Sequence, residues 1–173
     1  MLEALANLLG GTGIDVFVNA NDWVWPLGEI LHFFGMALLI GTVGLVDARI
    51  LGVGKGIPIA ALEKFLPLGV IGFVVNALTG FVFVAGNPVG GPMDYLANLS
   101  FQIKMLLILI AGLNLLAFYA TGISRATQNV SADGDAPRNA KIVAVVSIVV
   151  WFSVIVFGRL IMYNDTLLYA LGL

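Results

Sequence analysis

Four stretches of this chain run for about 20 residues or more with almost no charge, at roughly 26–50, 65–85, 101–120 and 140–163. Each is long enough to cross the roughly 30 Å hydrocarbon core of a bilayer as a helix. Lipid offers backbone N–H and C=O groups no partner, and a helix pairs them all within one segment. The expected fold is therefore all-α, a four-helix transmembrane bundle that takes in residues 1–173 as a single membrane domain. Charge supports this. Asp, Glu, Lys and Arg make up 10% of the chain, against about 25% in soluble domains, and the mean hydropathy is +1.04.

The flanks set the orientation. The loop between the first two spans carries Arg49, Lys55 and Lys64, and the loop between the last two carries Arg125, Arg138 and Lys141. The N-terminal segment, residues 86–100 and the C-terminal tail hold no Lys or Arg. Cytoplasmic loops are the ones enriched in basic residues. The expectation is a multi-pass protein of the bacterial inner (cytoplasmic) membrane with both termini on the periplasmic side. Residues 1–24 lack a basic start and an A-x-A site, so no signal peptide is expected. Leu2, Leu5, Leu8 and Leu9 suit a short amphipathic helix on the bilayer surface. Trp23 and Trp25 suit the interfacial belt, and Pro26 suits a first helical turn. Residues 121–140, polar and rich in small side chains, read as a flexible loop.

The charges inside the spans are the candidate chemistry. Trp25, Glu29, His32 and Met36 are spaced 4, 3 and 4 apart, which puts them on one helix face. Lys104 starts the third span, and Arg159 lies about one turn from the end of the fourth. Up-and-down threading brings Glu29, His32, Lys104 and Arg159 to one depth near the outer surface. Intramembrane ionisable groups need partners. Two permanent cations facing one acid leave room for an anionic ligand such as a carboxylate, a phosphate or a haem propionate. A registry ion pair between Glu29 and either cation is the plainer alternative. Asn76 and Asn114 are expected to hydrogen-bond across helices. Asp47 and Arg49 are expected to form a surface pair, and Trp151 to pack.

His32 is the one histidine, and there is no cysteine. That excludes disulfides, thiolate sites and any site needing two His ligands from one chain. His32 reads either as a hydrogen-bonded core residue or proton-path group, or as the axial ligand of haem b, with Met36 as the sixth ligand. A bis-His haem would need His32 from two chains. No phosphate loop, GxSxG or HExxH pattern and no carboxylate metal cluster occurs, so a hydrolase or transferase is not expected.

Several segments together resemble a bacterial family of small membrane proteins catalogued as a domain of unknown function. They are EILH (29–32) with Gly35, GTVGLVDARILG (41–52), Gly72-Phe73, Thr79-Gly80, NLSFQIK (98–104), AGLN (111–114), and Trp151 with GRLIMY (158–163). The resemblance covers about residues 20–165. It implies a four-helix fold and marks Glu29, His32, Asp47, Arg49, Lys104, Asn114 and Arg159 as characteristic polar positions. It extends distantly to the membrane domain of copper-resistance protein D and to b-type cytochrome bundles, and so implies haem or metal handling.

The leading expectation is an outer-leaflet haem b carrier for electron transfer, a redox carrier at most rather than an enzyme of another class. His32 would bind iron, Lys104 and Arg159 would neutralise propionates, and Glu29 would orient His32 or pair with a cation. The alternatives are a non-catalytic accessory subunit with a lipid- or partner-binding polar pocket, and a proton-coupled small-solute transporter. Besides the lipid bilayer, a homo-oligomer or a larger membrane complex is expected as partner, and no nucleic acid.

Overall fold

The structure is a computed structural model that describes residues 1–172. Among these residues it is all helix and turn, with no strand. Two short helices, α1 (Leu2–Gly10) and α2 (Ile14–Asn19), precede the first long helix, α3 (Val24–Ile50). The short α4 (Ile59–Glu63) leads into α5 (Leu66–Ala85), and α6 (Gly91–Leu96) leads into α7 (Leu99–Ala120). Then come α8 (Ile123–Gln128), α9 (Arg138–Leu160), a 3₁₀ turn (Ile161–Tyr163) and α10 (Asn164–Leu171). Helices α3, α5, α7 and α9 account for the four expected spans, and each is long and apolar enough to cross a membrane. Their outward faces carry large apolar side chains, such as Phe33 and Phe34 on α3 and Leu113 and Leu116 on α7, which suits lipid as solvent.

The long helices form two antiparallel pairs. In the first, Gly28 lies against Phe83, Gly35 against Gly72, Val75 and Asn76, and Leu39 beside Gly72. A Cβ on Gly72 would sit 2.5 Å from Gly35 O and 2.8 Å from Leu39 N. Backbone meets backbone there, and only glycine allows it. In the second pair, Asn114 Nδ2 of α7 donates across to Val143 O of α9 at 3.1 Å. At the far end Lys104 lies along Gly158, and Asn98 Nδ2 donates to Ile161 O at 3.0 Å. Asn98 also caps α7 by accepting from Phe101 N at 3.1 Å. The pairs join through α3 and α9, whereas α5 and α7 scarcely touch.

The buried core sits at the basic-loop end: Val46 and Ile50 of α3, Ile59 of α4, Phe118 of α7, Ile123 of α8, and Ala136, Ala140 and Ala144. The loops there are fastened, contrary to the flexible segment expected over 121–140. Arg49 is 1% exposed. Its Nε donates to Ile57 O at 2.7 Å, and its Nη2 donates to the carbonyls of Ala132 and Gly134. Gly56 N donates to Ala132 O at 3.0 Å. Gln128 Nε2 donates to Glu63 at 2.6 Å. Asp135 is bridged by Lys55 at 3.2 Å and Lys141 at 3.3 Å, and hydrogen bonds from these two ammonium groups hold its carboxyl below the usual carboxylate range. The expected Asp47–Arg49 surface pair does not form, because both residues are buried and residues two apart leave a helix on nearly opposite sides.

At the other end α1 packs on α6, and α2 packs on α5 with Val18 against Gly86.

Three variants test this packing. Gly72→Ala should destabilise the protein by about 1–3 kcal/mol, the usual cost of overpacking. Gly41→Ala, whose Cβ would meet nothing within 4 Å, should stay within about 0.5 kcal/mol of the wild type. Unfolding by titration with sodium dodecyl sulfate measures both. Arg49→Gln removes charge-assisted bonds worth about 1.5–3 kcal/mol each. Trypsin cleavage at Arg125 and Arg138 should then accelerate at least about tenfold, with the helical circular dichroism unchanged.

Candidate functional site

Glycines 28, 35 and 72 bring α3 so close to α5 that polar groups on the facing surfaces must satisfy one another. His32 faces α5 at the level of Thr79, Gly80 and Phe83. Its Nδ1 lies 2.7 Å from Thr79 Oγ1, and its ring centroid is 5.6 Å from that of Phe83. The Trp25 ring centroid lies 5.0 Å from that of the same Phe83. Thr79 is buried, and its hydroxyl points back to Val75 O at 2.8 Å. One hydroxyl has one proton. With that proton directed to Val75 O, Thr79 accepts from His32 Nδ1–H. That arrangement makes the ring the Nδ1–H tautomer with a free lone pair on Nε2; the opposite one, with Thr79 donating to Nδ1, gives up the Val75 O bond.

The other expected site residues divide. Lys104 is half-buried, beside Gly158 and within electrostatic reach of His32. Arg159, in the last turn of α9, is exposed; its guanidinium lies 5.5 Å from the Tyr163 ring centroid and 3.5 Å from the Tyr163 hydroxyl. Glu29 is exposed and lies towards α6, where burial, then the charges of Asp94 and Glu29, push the Tyr95 phenol above its ordinary value. Among the described residues neither Glu29, Lys104 nor Arg159 comes within ion-pair distance of an opposite charge. The registry ion pair is thus not made. Asp94 does not supply the missing anion; it accepts from Asn87 Nδ2 at 3.2 Å. Met36 lies one turn beyond His32 on the same face. Asn76 donates into its own helix, to Gly72 O at 3.0 Å, and does not bond across to a neighbour.

Sequence reasoning quoted Thr79 only as part of the resemblance and gave it no role in the site. Its signal is modest: a threonine one residue before Gly80, on the α5 face that the glycines bring against α3. No group of three or more His, Asp or Glu side chains suited to a metal ion occurs among the described residues. A single imidazole backed by a hydroxyl can act as a proton acceptor or as one ligand to a metal already held by other atoms.

No family model, curated protein or solved structure matches the chain.

Because His32 is the one histidine, its tautomer can be read without assignment. Nitrogen-15 spectra of histidine-labelled protein at neutral pH should show a protonated Nδ1 and an unprotonated Nε2. In Thr79→Val this preference should disappear, and stability should fall by about 1–3 kcal/mol for the unsatisfied buried donor.

Proposed function

We propose that this protein is a redox carrier of the bacterial inner membrane that holds haem b in the outer half of the bilayer, with His32 as axial ligand. The observation that carries the reading is the His32–Thr79 hydrogen bond. A metal-bound imidazole characteristically donates its other N–H to a fixed acceptor, which sets the ring and the tautomer. Here Thr79 performs that task, so Glu29 is released from it. Lys104 and Arg159, cations with no carboxylate partner among the described residues, are suited to propionates. Phe83 and Trp25 supply apolar wall. When bound, haem supplies a one-electron couple whose potential follows its ligands, their hydrogen bonds and burial.

Met36 drops out as sixth ligand. Residues i and i+4 leave a helix in the same direction, about 6 Å apart along the axis, so they cannot grip opposite faces of one iron. A sixth protein ligand would come from His32 of a second chain, in keeping with a homo-oligomer. Both termini lie outside in this reading, on the strength of the six basic residues gathered in two loops.

The accessory-subunit alternative predicts no chromophore. Transport fares worse. Between His32 and Asp47, about 22 Å of helix rise, α3 carries no titratable side chain to relay a proton.

Protein expressed with haem available should show a Soret band and, after dithionite, sharp α and β bands. His32→Ala should lose them, whereas Thr79→Val should keep a Soret band with a shifted midpoint potential. A featureless spectrum, or one untouched by His32→Ala, sinks the proposal.

A further inference from the structure

The gap left between the two helix pairs contains a second polar site, at the end of the molecule away from His32. Because α5 and α7 scarcely touch, a cavity of about 350 Å³ remains at the centre, walled by all four long helices. That volume falls in the range of small-molecule sites. Its walls are apolar and aromatic, with Phe73 of α5, Phe118 and Tyr119 of α7 and Trp151 of α9 among them. Polar atoms break this lining at Asp47, Asn114 and Ser147, besides the Tyr119 hydroxyl and the Trp151 indole N–H.

Asp47 is 7% exposed, and its Oδ2 has no hydrogen-bond partner. An isolated carboxylate in an apolar setting is costly unless something pairs with it. Arg49 cannot, since it faces the loops and is committed to three carbonyls. No Lys or Arg lines the cavity. Ser147 is the hydroxyl donor beside the carboxylate, and one neutral hydroxyl leaves its charge uncompensated. Asn114 spends one amide N–H on Val143 O and keeps its carbonyl oxygen and its second N–H. The cavity therefore presents a carboxylate, a carbonyl oxygen and aromatic faces, with no cationic donor. That is the complement of an ammonium group on an apolar body, which donates hydrogen bonds to the oxygens and makes cation–π contact with an indole. A phosphate-bearing headgroup fits badly, because its anion would meet the same oxygens.

We propose that this cavity is a binding site for a lipophilic ammonium, which enters from the bilayer between α5 and α7 and pairs its cation with Asp47. The site is independent of the haem reading and survives its failure.

The probe is radiolabelled n-decylamine, largely protonated at pH 7, added to the full chain in nanodiscs and read by scintillation proximity. Binding should saturate at one per chain, and n-decanol, the neutral isostere, should not compete. Asp47→Asn should bind at least tenfold more weakly. Gly112→Leu is the second variant, for the case in which Asp47→Asn does not insert. Gly112 lines the cavity, a Cβ there meets nothing within 4 Å, and the larger side chain should abolish binding. Nanodiscs with phosphatidylethanolamine should bind the probe as well as nanodiscs without it; competition by that phosphate-bearing lipid overturns the proposal. Unsaturable binding, equal binding by both variants, or full competition by n-decanol overturns the proposal.

Discussion

The contact that the rest of this structure depends on is the backbone approach of α3 to α5 at Gly35 and Gly72. In lipid there is little hydrophobic gain in pairing two apolar helices, so close packing must supply the attraction. Glycine on both surfaces lets main chain meet main chain over several turns. The consequence is local and chemical: Thr79 comes to lie 2.7 Å from the His32 ring. A wider crossing would leave both groups facing hydrocarbon. The histidine is therefore positioned by a glycine three residues along its own helix and by a helix it does not belong to.

The basic end is held by different physics. There the segments leave the membrane, and backbone carbonyls in the loops need donors. Arg49 supplies them. Its guanidinium carries five N–H donors in a rigid fork, which suits it to bind several carbonyls at once. It binds the 51–58 loop through Ile57 and the 129–137 loop through Ala132 and Gly134. One terminal nitrogen, Nη1, has no partner. The fork is thus not fully satisfied, and the stabilisation it gives is correspondingly smaller than its count of donors suggests. Around it the Lys55–Asp135–Lys141 bridge is exposed and adds little.

Hydropathy made the four spans legible, because the bilayer imposes one length and one backbone solution on every crossing. It could not show which faces meet. Asp47 and Arg49 sit at a helix end with opposite charges, and spacing alone suggested a pair; helix geometry sends them to opposite sides, and both are buried. Residues 121–140 looked mobile because polarity and small side chains are all that a sequence displays there. What orders them is a cation 83 residues away from one of its acceptors, Ala132. Glu29 and Arg159 were drawn inward by a count of charges at one depth. Depth fixes a level along the helix axis, and azimuth decides contact. Asn114 bonds across helices as read, whereas Asn76, with Gly72 O one turn behind it, closes on its own backbone.

Azimuth also explains how one helix can serve two polar sites. From His32 to Asp47 is fifteen residues, and at about 100° per residue the two side chains differ by only about 60° around the axis while standing about 22 Å apart along it. The first points at α5, where the glycines have closed the gap. The second is turned towards the space between the pairs, where α9 also packs on α3 and no glycine contact draws α5 to α7. Tight packing at one level and open packing at the other are thus two results of the same arrangement. Closing α5 onto α7 would fill the cavity but would require small residues on their facing surfaces. Small residues are present there, but α5 spends Gly69 on Thr42 of α3, and a Cβ on Gly112 of α7 would meet nothing within 4 Å. The cavity lies where close packing on α3 has used the glycines of α5, and the unpaired Asp47 oxygen borders the space that remains.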